Sequence, residues 1–187
     1  MIIQSTIKGN DFEFETTHNI FSPRQIDAGT LAMLSCVEFA DGQKILDLGC
    51  GYGVVGITAA RFTAPDNVYM VDIDPEAVSC SMKNAARNHA EGVHVIRSDG
   101  LDALTEAGFD CILSNPPYHT DFSVAKKFIE KSFNRLKMNG RMLMVTKRKE
   151  WYKNKFISVF GGVKIHEIDG YLVFEAEKRS ASFSKKR

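Results

Sequence analysis

The sequence predicts an α/β protein with a mostly parallel, seven-stranded sheet, helices on both faces and an antiparallel hairpin at its carboxyl end. Three observations predict this fold class. Short apolar segments alternate with helical patterns between residues 44 and 160, as in chains that build parallel sheets through crossover helices. A glycine-rich turn joins the first strand of this series to the first helix. Only Asp169 and Gly170 separate the last two strands, which is typical of a hairpin.

The elements follow in a regular order along the chain. Residues 2–7 and 12–16 surround a turn and predict a small amino-terminal β-hairpin, and a helical pattern follows Pro23. The predicted parallel strands are residues 44–48, 68–71, 93–96, 109–113 and 141–145. The predicted helices are residues 54–62, 76–89, 101–107, 122–136 and 150–160. Strands at residues 163–168 and 171–177 complete the sheet.

Composition indicates a single soluble domain over residues 1–187. We expect the hairpin and first helix in residues 1–40, the α/β core in 41–178 and a disordered basic tail in 179–187. No signal sequence or membrane-spanning stretch is recognisable, so we expect a cytoplasmic location. The 4 cysteines are widely spaced without a C-x-x-C pair, and the 5 histidines are scattered, which favours reduced thiols and no metal site.

Charge is divided unevenly along the chain, although the formal net charge is only +1. Residues 1–120 contain 7 Lys and Arg against 16 Asp and Glu, a net charge of −9, whereas residues 121–187 contain 17 against 7, a net charge of +10. This division is consistent with a basic face for an anionic partner. It is equally consistent with two halves that interleave in space, so that their charges mix on a solvated surface.

The stretch ILDLGCGYGVVG forms the glycine-rich turn between a strand and a helix. Gly49, Gly51 and Gly53 allow the backbone to turn sharply and to approach a ligand closely. Because the spacing also satisfies G-x-G-x-x-G, a dinucleotide site is an alternative. Asp72 ends the next strand and suits the ribose hydroxyls of either ligand. Asp47 precedes the first glycine and favours a ligand with positive charge over a pyrophosphate, which it would repel.

A second unusual stretch, SNPPYHTD, follows the predicted strand 109–113. Its two prolines remove two backbone donors and fix φ twice, so the chain is stiff and cannot continue a sheet. Asn115 is therefore held rigidly, with Tyr118 just beyond it. Asp99 follows the third strand of the series, at a position suited to accept from an adenine amino group.

Taken in order, the motif DLGCGYG at 47–53, Asp72, Asp99 and the motif NPPY at 115–118 resemble the class I S-adenosylmethionine-dependent methyltransferases. The resemblance implies a Rossmann-like sheet and S-adenosyl-L-methionine as cofactor. It implies that Asp47, through water, and Gly49 hold the amino-acid end of this cofactor. Asp72 should bind the ribose, Ile73 should lie against the adenine ring, and Asp99 should accept from the adenine amine. The implied cofactor site comprises Phe21, Asp47, Gly49, Cys50, Gly51, Gly53, Asp72, Ile73, Asp99 and Asn115.

The NPPY motif resembles that of enzymes that methylate a nitrogen conjugated with a ring or a carbonyl group. The carbonyl oxygens of the Asn115 side chain and the Pro116 backbone would accept both N–H groups and aim the nitrogen lone pair at the methyl group. Tyr118 would stack on the planar target. The predicted catalytic residues are Asn115, Pro116, Pro117 and Tyr118. Asp74, before Pro75, is expected only to cap the next helix.

Residues 19–34, residues 115–148 and the closing hairpin resemble the catalytic domain of the ribosomal RNA small subunit methyltransferase C family. These enzymes methylate the exocyclic N2 of a guanine in small-subunit (16S) ribosomal RNA, which implies this RNA, or the small ribosomal subunit, as partner. Phe21, Ser22, Asp27 and Gly29 match a family segment near the cofactor, where Phe21 either covers the pocket or lies in the core. Members with two domains carry a degenerate methyltransferase-like domain before the catalytic one, and we expect no counterpart of it in residues 1–187.

In this fold the ends of the fourth and fifth strands face the substrate. His119, Lys147, Arg148 and Lys149 are therefore predicted to contact RNA phosphates. Three alternatives remain at this stage. One is a protein-(glutamine-N5) methyltransferase of release factors, and another is an adenine-N6 methyltransferase of tRNA or DNA. The third is a non-catalytic partner protein that binds the cofactor.

Overall fold

The computed structural model describes residues 1–117 and 121–184. The strands in these residues are β1 (Ile2–Ile7), β2 (Asn10–Glu15), β3 (Ile45–Leu48), β4 (Val68–Asp72), β5 (His94–Arg97), β6 (Phe109–Ser114), β7 (Leu136–Thr146), β8 (Lys164–Ile168) and β9 (Tyr171–Glu177). The α-helices are α1 (Ala28–Ser35), α2 (Val54–Ala59), α3 (Pro75–Arg87), α4 (Ser123–Arg135) and α5 (Glu150–Phe160). Within the same residues, no helix is long and apolar enough to cross a bilayer.

Seven of the strands form one sheet in the order β5-β4-β3-β6-β7-β9-β8. The pairs from β5 through β7 are parallel, and β9 is antiparallel to both β7 and β8. β1 and β2 form a separate antiparallel hairpin. The predicted fold class is confirmed, including the closing hairpin and the small amino-terminal one. The strand order reverses between β3 and β6, which is where doubly wound α/β proteins bind their ligands.

The sheet is covered on both faces by apolar side chains. One cluster packs α1, α2 and α3 against the sheet, and the other packs α4 and α5 against the opposite face. Neighbouring residues of β3 point to opposite faces, so Ile45 joins the first cluster whereas Leu46 and Leu48 join the second. The same alternation directs Asp47 toward α2, where the Gly56 N–H donates to its Oδ2 at 2.8 Å.

Asn84 of α3 and Asn88, the C-cap of that helix, attach the amino-terminal hairpin to the core. Asn84 accepts from the Glu15 N–H at 2.7 Å and donates to the Glu15 carbonyl at 2.9 Å. Asn88, one helical turn later, makes the same pair of bonds to Glu13 at 3.1 and 2.8 Å. These side chains satisfy the backbone groups along the edge of β2, much as a neighbouring strand would.

The structure differs from the sequence-based expectation between residues 101 and 107, where the predicted helix is wrong. The chain forms turns there, with Leu101 and Leu104 buried against the α4 side of the sheet. The Arg135 guanidinium donates to the backbone carbonyls of Leu104 and Glu106. These carbonyl groups are therefore satisfied by a side chain instead of by helical N–H donors.

A further difference concerns the residue at which β7 begins. β7 begins at Leu136, five residues before the predicted strand, because Leu136 pairs with Phe109 across an irregular register. In the tail that begins at residue 179, the Phe183 ring packs edge-on against Phe133 with centroids 5.2 Å apart, and the expected disorder of residues 179–187 stays a prediction. Phe183 is still 37% exposed, so this contact covers only part of its ring.

Candidate active site

A cavity of about 400 Å³ opens at the carboxyl ends of β3, β4, β5 and β6, a volume typical of small-molecule sites. It brings together most of the residues that the sequence singled out, although they come from five separate segments. The predicted residues in its wall are Phe21, Asp47, Gly49, Cys50, Gly51, Asp72, Ile73, Asp99, Asn115, Pro116 and Pro117. The wall also contains Ser22 and Asp27, from the segment expected near the cofactor, and residues with no predicted role, among them Ile26, Thr30, Ser98, Val124 and Phe128.

The glycine-rich turn forms one side of this cavity. Gly49, Gly51 and Gly53 have φ values of 75°, 56° and 100°, in the left-handed region that favours glycine. The Gly51 N–H donates to Asp72 Oδ2 at 2.8 Å, which ties the turn to the end of β4. Gly53 is the N-cap of α2 and lies outside the cavity wall. A Cβ there would lie 2.8 Å from the side chains of Ile57 and Met70, so this glycine serves helix packing.

Asp47 places a buried carboxylate at the floor of the cavity. Its side chain is 3% exposed. Burial raises the pKa of Asp47 from 3.8 to about 7, the hydrogen bond from the Gly56 N–H opposes this shift, and the charge of Asp72 adds to it. A cationic group that enters the cavity would restore the charged form of this carboxylate. Burial also raises the pKa of the neighbouring Cys50 thiol well above its usual range, so Cys50 is a neutral wall residue.

Two further carboxylates lie along the same edge. Asp72 is oriented by two backbone donors, Gly51 N–H to Oδ2 and Asp74 N–H to Oδ1 at 3.0 Å. Asp74 itself caps α3 by accepting from the Glu76 N–H, as its sequence context predicts. Asp99 is exposed and pairs with Lys127 Nζ at 3.2 Å. The three carboxylates thus lie at the carboxyl ends of three adjacent strands: Asp47 within the last two residues of β3, Asp72 as the last residue of β4, and Asp99 two residues after β5.

Asn115 follows β6 and is half-buried in the cavity wall. Its Nδ2 donates to Asp27 Oδ2 at 2.8 Å and to Thr30 Oγ1 at 3.0 Å. No other described residue donates to its Oδ1, so the side-chain carbonyl keeps its acceptor capacity. Pro116 is buried and Pro117 is exposed beside it. Tyr118 and His119 lie outside the described residues, and their predicted roles remain predictions.

The rim of the cavity is aromatic and strained. Phe21 is 57% exposed and lines the opening, so of its two expected positions the structure places it at the pocket and not in the core. Ser22 next to it has a φ of 54°, a value uncommon for a residue other than glycine. Its Oγ donates to the Gln25 carbonyl at 2.7 Å, which fixes the turn that presents Phe21. Ile73 is similarly exposed, at 59%, on the β4 side.

The predicted basic residues lie beside the cavity but do not line it. Lys147, Arg148 and Lys149 are exposed where β7 ends, at the same edge of the sheet. Arg148 lies over the Phe122 ring at 5.0 Å, and that ring stacks on Trp151 with centroids 4.4 Å apart. Basic groups beside partly exposed aromatic rings are a common arrangement in surfaces that bind single-stranded nucleic acid.

Sequence comparisons place the chain among known proteins. The profile described as methyltransferase small domain matches residues 11–175. An uncharacterised protein of Bacillus subtilis, YbxB, is 29% identical over 178 aligned residues, which cover 92% of this chain and 89% of the relative. Ribosomal RNA small subunit methyltransferase C of Pseudomonas putida is 33% identical over 165 aligned residues, which cover 85% of this chain and 49% of the relative.

Solved structures agree with this similarity. A T. thermophilus 16S rRNA N2 methyltransferase, solved in complex with AdoMet and guanosine, has a TM-score of 0.89 and 29% identity. That similarity covers 96% of this chain and 50% of the other. A methyltransferase from Pyrococcus furiosus has a TM-score of 0.74 at 19% identity and covers 90% of both chains, which is a similarity of fold. This chain therefore spans about half the length of the two small-subunit rRNA methyltransferases that it resembles.

Proposed function

The chain belongs to the methyltransferase small domain family, and from this premise we propose that it methylates the exocyclic N2 of a guanine in small-subunit ribosomal RNA, with S-adenosyl-L-methionine as donor. One observation carries the proposal. The Asn115 amide presents a carbonyl oxygen, to which no residue in the described part of the chain donates, in the wall of a cavity that also contains Asp47 and Asp72. The relatives named as guanine-N2 or small-subunit methyltransferases support the choice of substrate.

The residues of the cavity fit S-adenosyl-L-methionine. Asp47 is buried where a carboxylate needs a cationic partner, which the amino group of the cofactor's methionine part would be. The lone pairs that Asp72 does not use for backbone donors suit two ribose hydroxyls. Ile73 and Phe128 supply apolar surface for an adenine ring, and Asp99 lies beside them at the rim. When bound, the cofactor supplies a methyl group already activated by its positively charged sulfur.

The protein's part in the reaction is to position the amine. An exocyclic amine of guanine is a weak nucleophile because its lone pair is delocalised into the ring. Asn115 Oδ1 and the Pro116 carbonyl oxygen accept its two N–H groups, which turns the lone pair out of the ring plane and toward the methyl group. The rigid Asn-Pro-Pro backbone fixes both acceptors, and orientation of this kind contributes about 7–11 kcal/mol to many reactions. The nitrogen becomes positively charged and acidic as it takes the methyl group and then releases one proton to water, so no strong base is required.

The surface beside the cavity suits an RNA substrate. A guanine held in a stack or a base pair must swing out before its N2 reaches Asn115, and the neighbouring strand then needs a surface to bind. Lys147 and Lys149 supply positive charge at this edge, while Phe122 and Trp151 supply aromatic surface. This arrangement favours RNA over a release factor as the substrate, since a glutamine side chain would gain little from basic groups.

A labelling experiment tests this proposal. The protein is incubated with radiolabelled S-adenosyl-L-methionine and, separately, with total RNA, with small ribosomal subunits lacking the modification, and with release factors. We expect label in small-subunit RNA, recovered after digestion as N2-methylguanosine. Label recovered as N6-methyladenosine, or found in the release factor, would contradict the proposed substrate. Cofactor binding without transfer to any of them would favour the non-catalytic alternative.

A further inference from the structure

The side-chain amide of Asn115 is held in a single orientation by two residues of the α1 amino terminus. Its Nδ2 lies 2.8 Å from Asp27 Oδ2 and 3.0 Å from Thr30 Oγ1. A carboxylate accepts hydrogen bonds but has none to donate. The NH₂ end of the amide must therefore face Asp27, because a rotated amide would bring its carbonyl oxygen against the carboxylate. We propose that Asp27, assisted by Thr30, is a positioning residue that keeps the Asn115 carbonyl directed at the substrate amine.

Asp27 is itself fixed by the local structure. It is the N-cap of α1, and its Oδ2 accepts from the Thr30 N–H at 2.9 Å. One carboxylate oxygen thus serves both the helix cap and Asn115. Gly29 makes room for this arrangement, since a Cβ at that position would lie 2.9 Å from Asp27 Oδ2 and 2.8 Å from the Tyr171 ring. Residues 27–30 therefore act as one unit that orients an amide 85 to 88 residues later in the chain.

The orientation matters because an amide has a donor end and an acceptor end of nearly equal size. If the amide of Asn115 rotates, its NH₂ group faces the NH₂ group of the substrate, donor against donor. Cofactor binding would continue, but the amine would lose the acceptor that directs its lone pair. The expected effect on turnover rests on the proposed function. The orientation of the Asn115 amide does not, because it can be measured without a substrate.

Three substitutions separate positioning from helix capping. Asp27→Ser keeps a good N-cap, but its shorter side chain no longer reaches Asn115. Asp27→Asn, the conservative variant, keeps an acceptor oxygen for both the Thr30 N–H and Asn115 Nδ2. Thr30→Val removes only the second acceptor of the amide and leaves the cap bond in place.

We expect Asp27→Ser to lower kcat by about 100-fold, the cost of a small misplacement of a catalytic group, with cofactor Kd and KM for RNA changed less than about threefold. Asp27→Asn should recover most of the wild-type kcat, and Thr30→Val should give an intermediate loss. Asp27→Ser should cause no further loss when combined with Asn115→Ala, because the two residues then act through one group. Near-wild-type kcat in Asp27→Ser would overturn the inference. So would an equal loss in Asp27→Asn, since the carboxylate charge would then matter more than the orientation.

Side-chain amide NMR of the cofactor-free protein provides the readout that is independent of substrate. The two ¹H–¹⁵N peaks of the Asn115 NH₂ group are identified by their disappearance in Asn115→Ala. We expect them to be well separated and protected from solvent exchange in the wild type and in Asp27→Asn, and to move and exchange faster in Asp27→Ser. Unchanged peaks in Asp27→Ser would refute the positioning. The expected peak changes in a protein that methylates no RNA would instead uphold the positioning and refute the proposed function.

Discussion

The buried carboxylate of Asp47 leads to a prediction about pH that separates this residue from all others. Burial raises the pKa of Asp47 from 3.8 to about 7 in the folded protein. Between these two values the unfolded chain has released its proton and the folded protein has kept it. The free energy of unfolding contributed by Asp47 therefore falls as pH rises through this window, by up to about 1.4 kcal/mol per pH unit, and is constant above pH 7.

The perturbation is Asp47→Asn, whose side-chain oxygen can still accept from the Gly56 N–H. The assay is urea unfolding of both proteins between pH 5 and 8, because other groups titrate equally in both and cancel in the difference. As pH rises to 7, we expect the free energy of unfolding of the variant to increase relative to that of the wild type. Above pH 7 this difference should stay constant. Parallel pH profiles of the two proteins would refute the reasoning.

Cofactor binding should show the opposite dependence at the same residue. The positively charged amino group of the cofactor favours the ionised form of Asp47, so its binding below pH 7 releases a proton. We expect the Kd of the wild type for S-adenosyl-L-methionine, measured by calorimetry, to decrease as pH rises toward 7, by up to about tenfold for each pH unit. Above pH 7 the Kd should be constant. Asp47→Asn should bind weakly with little pH dependence, and an equally steep dependence in this variant would contradict the role of Asp47.

Three further predictions concern stability and RNA binding. Gly56→Ala places a Cβ 2.5 Å from Met70 Cγ, and we expect urea unfolding to show a loss of about 1–3 kcal/mol; unchanged stability would contradict the packing. Asn84→Leu leaves the backbone of Glu15 unpaired, so we expect a loss of about 3 kcal/mol by the same measurement and easier proteolysis of the amino-terminal hairpin. Lys147→Gln combined with Lys149→Gln should weaken RNA binding. The plot of log association constant against log salt concentration should become less steep, by about 0.7 for each phosphate that the protein no longer neutralises. The control Lys164→Gln should leave this slope unchanged.

Much of the fold follows from local features of the sequence. The glycine turn, the Asp74 cap and the helix over residues 150–160 each depend on a few neighbouring residues, and the structure places all three as predicted. The predicted helix at 101–107 failed because its carbonyl groups are satisfied by Arg135, a residue from a distant part of the chain. Side chains that reach across the fold leave no periodic signal in the segment that they stabilise.

The site follows the same division between local and long-range features. Asp47 was predicted because it precedes the glycine turn, Asp72 because it ends a strand, and Asn115 because it follows one. The carboxyl ends of parallel strands meet at one edge of a sheet, so these residues lie close together. Thr30 and Phe128 have no comparable signal, since each is one residue of an ordinary helical pattern. Their place in the cavity depends on how α1 and α4 pack on the sheet, which a single sequence does not specify.

The most direct test of the account measures one methyl transfer by Asn115→Ala beside the wild type. Each protein is saturated with labelled S-adenosyl-L-methionine and mixed with small ribosomal subunits that lack the modification, and the transfer rate is followed in a single turnover. We expect the cofactor Kd of the variant to stay within about twofold of the wild type and its transfer rate to fall by about 100-fold or more, as when one preorganised hydrogen-bonding group is removed from an active site. A transfer rate close to that of the wild type would contradict the role of the Asn115 carbonyl.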